Sequence, residues 1–403
     1  MSEQLLDVWL IDPGTGPLRT GQLLIRGEEA FFRYLGSYLG LGNAFPIEPI
    51  NLALSGQIFT SRLLRPPLLI FDDILPDTWG LAILSKKHGY DFFKDRMAAL
   101  SHMETSVVGG LVCLPQGTRP KMPKWIPMDY LNECLDEVKS FEIRKADFIF
   151  KYLGITGTSA GGARPKASFV DKNGTVWLIK FPSHNDPTPE TISKVEYAGY
   201  AFAKRIGLGV PEAKTIEVGD ATLFASRRFD IITGENGHRR LIVLSLSTLL
   251  GGMHMADVGY EKAAAVMRRH LQVPEQDILQ FFRHMLLNWC IVNTDDHLKN
   301  ISLLWDGVGL RLSPAYDLVG NLWGLDHHTM TINSKTTGIA PSDLYKAGKR
   351  MRVKDIPSEM KKAVASADIY LQEIGKVEGT GQLAEMVERR LEMLSIFLKN
   401  RIN

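Results

Sequence analysis

Residues 274–320 restrict the fold of this chain more than any other stretch. There "PEQDILQFFRHMLLNWCIVN" runs without a break into "NTDDHLKNISLLWDGVGLRLSPAYDLVG". Pro274 suits a first helical turn, and Ile278, Phe281, Phe282, Met285, Leu286 and Trp289 recur at helical spacing. The spacing predicts a long helix that buries one face and ends near Val292. A polar segment, Asn293–Asn300, follows. The strand "ISLLW", an Asp-Gly turn at Asp306–Gly307 and the strand "LRLS" then predict a hairpin. Such a hairpin carries Asp317 back towards the polar segment.

That layout suits phosphoryl transfer. One carboxylate must orient an attacking hydroxyl and accept its proton. An amide oxygen and a second carboxylate must hold the Mg²⁺ ions that neutralise the phosphates. Asp295 and Asn300 stand in a D-x-x-x-x-N spacing that keeps base and metal ligand on one tight loop. The division of labour makes Asp295 the base and makes Asn300 and Asp317 metal ligands. His297 and Lys299 orient the loop or touch the transferred phosphate. The spacing alone also occurs in ordinary solvated turns, so the helix–loop–hairpin–Asp context carries the argument. A second cluster, "LDHHTM" at 325–330, offers Asp326, His327 and His328 to a metallophosphoesterase site. The further ligands such a site needs have no persuasive spacing, and a polar loop beside the metal-bearing segment is the expectation.

A kinase reading demands an upstream lysine on a buried strand. "TVWLIKFP" supplies Lys180, on one period-2 face with Val176 and Leu178, opposite Trp177 and Ile179. An ammonium ending an apolar strand calls for an anion. Glu196, in the helix expected over Ile192–Ile206, is placed like the carboxylate that steadies such a lysine; a solvated helix face is its alternative. "FASRRFD" ends a later strand and would join two lobes, its backbone meeting adenine and Phe229 making an apolar contact. The loop "GITGTSAGGARPKASF", 154–169, is neither a Walker loop nor G-x-G-x-x-G. Its backbone, at Gly161 and Gly162 among others, suits an anion, with Arg164 and Lys166 nearby.

Elsewhere the 403 residues are strand-rich over 1–115, where "LLDVWLID", "GQLLIRG", "INLALSG" and "GGLVCLP" predict strands and "PDTWGLAILSKKHG" a helix from near Asp77 to Gly89. Residues 116–145 form a linker and helix, 146–235 the part with the glycine loop, and 236–403 a helical lobe. A mixed lobe followed by a helical one implies a cleft. The net charge of +2 gives no sign of a protein coated with nucleic acid and leaves room for a local basic patch. Three dispersed cysteines and no long apolar run predict a cytoplasmic protein with no disulfide framework, zinc site or membrane span.

With these pieces in order, the sequence resembles the HipA family of bacterial toxin–antitoxin serine/threonine kinases. The segments that carry the likeness are "GTSAGGARPKA", "LIKFP", "AKRIGLGVPEA", "SRRFD", "NTDDHLKNISLL" and "LSPAYDL", with "FDDILPDTWG" and "VVGGLVCLP" nearer the N-terminus. The resemblance implies an α+β, two-lobed, protein-kinase-like fold using ATP and Mg²⁺ to phosphorylate protein hydroxyls. It matches Lys180 to the ATP-binding lysine, Asp295 to the base, Asn300 and Asp317 to the metal ligands, and Arg227 and Phe229 to hinge positions beside adenine. Arginine at 227 and proline at 165 depart from some members. Ser159 matches the serine that becomes autophosphorylated and shuts off ATP binding; Thr156 and Thr158 are neighbouring acceptors. A phosphate there would compete with ATP for Lys166 and Arg164.

The resemblance also implies a growth-arresting toxin. Its protein substrate would be a translation component such as an aminoacyl-tRNA synthetase. A small DNA-binding antitoxin would be its partner, so that DNA is reached only through that antitoxin. Two other readings are a kinase-like module that docks an antitoxin or transcription factor, and a kinase for small molecules or lipids. The complete Lys180, Asp295, Asn300 and Asp317 set favours the protein kinase.

Overall fold

The computed structural model describes residues 3–11, 16–121, 123–143, 150–156, 164–234, 237–253 and 258–402. The chain divides into two units: one of Met1–His184, Ala225–Leu244 and Leu304–Val308, the other of Asn185–Phe224, Ser245–Leu303 and Gly309–Asn403.

The first unit opens with β1 (Glu3–Leu10), β2 (Leu18–Arg26), β3 (Glu29–Tyr34), β4 (Phe59–Arg62) and β5 (Leu111–Pro115). They form an antiparallel sheet in the order β4-β3-β2-β1-β5. In β2, Gly21, Leu23 and Ile25 are buried while Gln22 and Leu24 are half-exposed, the alternation of a sheet with one covered face. Helices α1 (Gly36–Leu39), α2 (Leu69–Asp73) and α3 (Thr78–His88) lie between strands. The last of these has the predicted ends, with Asp77 before it and Gly89 left-handed at φ 63° after it.

"INLALSG" is not a strand. The Glu48 carboxylate accepts from the backbone N–H groups of Ile50 (2.8 Å) and Asn51 (2.6 Å). That local capping turns the chain before a ladder can form.

A second sheet holds β6 (Ile126–Pro127) and, after helices α4 (Leu131–Glu142) and α5 (Leu153–Thr156), β7 (Lys166–Val170) and β8 (Val176–Lys180). Strand β6 runs parallel to β7, and β7 runs antiparallel to β8. Strand β8 is the buried strand expected, with Val176, Trp177, Ile179 and Lys180 buried and Leu178 half-buried.

The second unit contributes α6 (Thr191–Arg205) and β9 (Ala213–Val218), and β10 (Ala221–Arg227) crosses the division. Then come β11 (Ile231–Gly234), β12 (Gly237–Arg240), β13 (Ile242–Ser245), α7 (Leu246–Leu249), α8 (Tyr260–His270) and α9 (Pro274–Cys290). Next are β14 (Ser302–Trp305), β15 (Leu310–Leu312), α10 (Pro341–Arg350), α11 (Ile356–Ser366), α12 (Asp368–Ile374) and α13 (Gly381–Ile402).

Helix α9 is the spine of its unit. Every apolar residue of its predicted face is at most 1% exposed, and Asp277, His284 and Asn288 are buried beside them. The Arg311 guanidinium on β15 grips Asp277 at the start of α9 through two bonds of 2.9 Å. The hairpin therefore returns to the helix that preceded it. Its connection is longer than the predicted two-residue turn: Gly307 has φ 90° but Asp306 does not have positive φ. Val308 N–H bonds the Asp306 carboxylate instead. No described helix is long and apolar enough to cross a membrane.

Candidate functional site

The predicted chemical residues of the second unit do gather on one loop system. Helix α9 ends at Cys290, Val292 turns left-handed at φ 58°, and Asn293–Asn300 leave the helix without regular structure. Asn300 closes that loop on itself. Its Nδ2 donates to the Asp295 carbonyl at 2.8 Å and approaches the Asp295 carboxylate at 3.5 Å. The five-residue spacing has a mechanical meaning: the amide nitrogen staples the loop, and the amide oxygen is left as the acceptor end. His297 Nε2 lies 3.7 Å from the other Asp295 oxygen, and His297 Nδ1 accepts from Lys299 N–H. Lys299 is further fixed through its carbonyl, which accepts from the Tyr316 hydroxyl at 3.0 Å.

Adjacent acids in this loop face opposite environments. The Asp295 side chain is 77% exposed, whereas that of Asp296 is fully buried. Protein around the loop disfavours the charged form of Asp295, and Asp317 pushes its pKa the same way. His297 and the Asn300 amide pull it down, and the net direction is upward from the ordinary carboxylate value. Solvent contact at the exposed carboxylate moderates that shift. A raised pKa is the direction a proton acceptor needs.

Asp296 was missed in the sequence, where it is only the second half of a D-D pair. It accepts from Tyr260 OH (2.9 Å), His328 Nδ1 (3.0 Å), Thr329 N–H (2.7 Å) and Met330 N–H (3.4 Å). Tyr260 OH in turn accepts from Asn288 Nδ2 at 3.1 Å. Asn293 Nδ2 donates both to Asn288 Oδ1 (3.1 Å) and to the Asp317 carbonyl (3.2 Å). No spacing rule links positions 260, 288, 293 and 328, so pattern reading had no access to this network.

The segment "LDHHTM" is not simply a polar loop. His328 is wholly buried on Asp296, and Asp326 pairs with Arg390, while His327 is exposed. Among the described residues no three His, Cys, Asp or Glu side chains group to hold a metal.

Asp317 sits in the left-handed region at φ 59°. Its neighbours are held by close approach. A Cβ on Gly199 of α6 would lie 2.2 Å from the Leu318 carbonyl oxygen, and one on Gly320 would lie 2.5 Å from Tyr370 OH and 2.6 Å from the Ile291 carbonyl. Only glycine lets α6 approach the segment that carries Asp317. Glu196 on the same helix is 1% exposed, so its solvated alternative is excluded.

The nucleotide-side residues belong to the first unit. Cross-strand register sets Lys166 of β7 opposite Lys180 of β8, which places both side chains on one face; they are 3% and 8% exposed. Arg164 is half-buried, Arg227 exposed and Phe229 half-buried. Thr158, Ser159, Gly161 and Gly162 lie outside the described residues. Between Arg227 and Phe229, sequence reasoning passed over Arg228. Its guanidinium bonds the Asp230 carboxylate (2.9 Å), the Ser106 carbonyl (3.0 Å), the Val107 carbonyl (2.9 Å) and Ser168 Oγ (3.2 Å).

These features define a protein-kinase-like chain. Its acid–amide–acid segment follows the long helix of the second unit, and in the first unit two lysines on neighbouring strands share one sheet face. A HipA toxin from Shewanella oneidensis MR-1, solved with HipB and its operator DNA, superposes with a TM-score of 0.71. The match covers 98% of this chain and 99% of that one at 17% identity. The fold is therefore the α+β, two-lobed kinase-like fold expected from the sequence.

The family model for the HipA-like C-terminal domain matches residues 158–368, more than half of the chain, and the chain belongs to that family. Two curated relatives from Sinorhizobium fredii are named as candidate kinases. Y4mE is 24% identical over 343 residues, covering 80% of this chain and 78% of its own; Y4dM is 28% identical over 170 residues, covering 38% and 39%.

The donor chemistry at the loop fits Mg²⁺. The Asn300 amide oxygen and the Asp317 carboxylate are hard oxygen ligands. They are too few to cage an ion, which suits a cation that shares its shell with phosphates and water.

Proposed function

We propose that this chain is an ATP- and Mg²⁺-dependent serine/threonine protein kinase acting as a growth-arresting toxin. The observation that carries the reading is the loop in which Asn300 staples Asp295 while Asp295 stays solvent-facing and has a raised pKa. Asp295 accepts the proton of the attacking hydroxyl. Asn300 and Asp317 hold Mg²⁺, which would supply charge neutralisation at the phosphates. Lys180 and Lys166, set opposite each other on adjacent strands, bind nucleotide phosphate. Arg227 and Phe229 line the adenine side, and Gly161 and Gly162 cover the nucleotide.

The protein substrate in this reading is a translation component such as an aminoacyl-tRNA synthetase. Ser159 is the autophosphorylated switch, with Thr158 as the neighbouring acceptor. The HipA of Shewanella was solved with HipB and operator DNA. A small DNA-binding antitoxin is accordingly proposed as the partner here, in the cytoplasm.

The test compares wild type with Asp295→Asn in bacteria and in vitro. Loss of a positioned general base lowers phosphoryl transfer by about 10²–10⁴-fold. Phosphate at Ser159, found by mass spectrometry in the wild type, should be absent from the variant. Growth arrest that persists in Asp295→Asn would overturn the kinase reading and leave a binding module.

A further inference from the structure

We propose that Asn288, buried in α9, is the positioning centre of the reaction, linking the proton-accepting and metal-binding acids through a relay of buried hydrogen bonds. The inference rests on the kinase reading above and deepens it. Asn288 is 1% exposed and both ends of its amide are used. Its Nδ2 donates to Tyr260 OH, which donates to the buried carboxylate of Asp296, the residue directly after Asp295. Its Oδ1 accepts from Asn293 Nδ2, which also holds the carbonyl of Asp317. The two functional acids lie 22 positions apart in sequence, yet one buried helical side chain is linked to both, to Asp317 through its carbonyl and to Asp295 through the carboxylate of the next residue.

The geometry explains why such a centre is needed. Asp295 is solvent-facing, and its side chain alone does not fix the loop. Asp296 provides the fixing from below: four donors satisfy its carboxylate, so the strand of loop through 295–296 has one buried side and one exposed side. Asp317 is held at a left-handed φ that a non-glycine residue adopts only when its surroundings enforce it. The Asn293 bond to its carbonyl is one enforcing contact. Because α9 is buried on every side from His284 to Cys290, Asn288 moves little relative to either arm. A misplacement of about 1 Å between reacting groups costs on the order of 10²-fold in rate, so a relay that fixes their separation acts on turnover rather than on nucleotide affinity.

The experiment uses full-length protein with Asn288→Leu, Tyr260→Phe and the double variant. It measures kcat and KM for ATP, urea midpoints, and amide exchange at Thr329 and Met330. Each single variant should lower kcat by about 10–100-fold with KM within about threefold. The double variant should be little worse than Asn288→Leu, because both changes cut one relay. Tyr260→Phe deletes a single oxygen and should leave the urea midpoint close to wild type. It should also speed exchange at Thr329 and Met330.

Additive losses in the double variant would overturn the relay, as would a fall in kcat that merely follows the unfolded fraction. Wild-type protein with no ATP turnover would overturn the kinase reading itself. Normal turnover in Asn288→Leu, with Asp295→Asn inactive, would overturn this proposal alone.

Discussion

Each unit of the molecule contains a buried polar cluster, and the two are built on different principles. In the first unit Arg228, Asp230 and Arg240 bring two cations and one anion out of water. Asp230 accepts from Arg228 and from Gly109 N–H (2.7 Å), while Arg240 donates to the carbonyls of Thr105 and Val107. Burial alone would raise the Asp230 pKa, but Arg228 and Arg240 outweigh it and hold it below the ordinary value. Arg240 is pulled down to about 9 by burial and by Arg228, with Asp230 opposing. Every charge in that cluster is consumed in tying the chain after β10 to the 105–110 loop.

The cluster of the second unit is built round one buried carboxylate, Asp296, with amides, a phenol, a histidine and backbone N–H groups about it. It leaves an adjacent carboxylate, Asp295, facing solvent. In the first unit charges of both signs are spent inside as a fastening. In the second a buried acid anchors the loop and leaves its neighbour available for chemistry.

The comparison is open to direct attack. The largest effect is expected from Asp230→Ala, which leaves two buried guanidinium groups with no carboxylate between them. Removing one member of a buried ion pair costs about 3–5 kcal/mol, which should appear as a large fall in the urea midpoint. A change under about 1 kcal/mol would mean that the cluster is held by its carbonyl acceptors alone.

Acid should separate the clusters next. Burial lowers the His284 pKa to about 4, with Asp296 opposing. The unfolded chain then binds the extra proton below pH about 6.5, and stability falls as pH drops from there towards 4. The total loss is about 3 kcal/mol. Asp230, with a depressed pKa, keeps its contribution through that window and loses it only as pH falls through its folded pKa, below about 3.9. Urea midpoints measured from pH 7 to 4 should slope in wild type and flatten over that range in His284→Gln. An unchanged slope in the variant would take His284 out of the account.

The smallest effect belongs to Gly199→Ala. Its added Cβ collides with the Leu318 carbonyl oxygen, and overpacking of this kind costs about 1–3 kcal/mol. Phosphoryl transfer should fall by more than the stability loss explains, because the displaced segment carries Asp317. Equal activity would show that α6 has room to move without disturbing that acid.

Legibility in the sequence followed distance along the chain. Helix α9, the loop after it and the Asp295/Asn300 pair were readable because their constraints span a few residues: helical period, a proline at the first turn, a staple five positions long. Helix α3 was readable from Asp77 and Gly89 for the same reason. The strand expected at "INLALSG" was not, because a nearby glutamate captured the backbone N–H groups that a ladder would have used. The burial of β8 was readable from its short, almost wholly apolar run. Asp296, Tyr260 and His328 were invisible as a group. Each is an ordinary polar residue, and only the folded chain brings a helix start, a loop and a distant turn onto one carboxylate.

The small segment Leu304–Val308 has a consequence for how the chain is made. Trp305 Nε1 donates to the Pro46 carbonyl at 2.8 Å, its ring meets Phe45 edge-on at 6.2 Å, and Phe45 also fills the space beside Gly307. Residues near position 45 leave the ribosome early, and their packing partners near 305 leave more than 250 residues later. At synthesis rates of about 5–20 residues per second, that interval lasts on the order of ten seconds or more. The first unit therefore cannot finish on its N-terminal residues alone, and its incomplete surface waits on the growing polypeptide until Val308 has emerged.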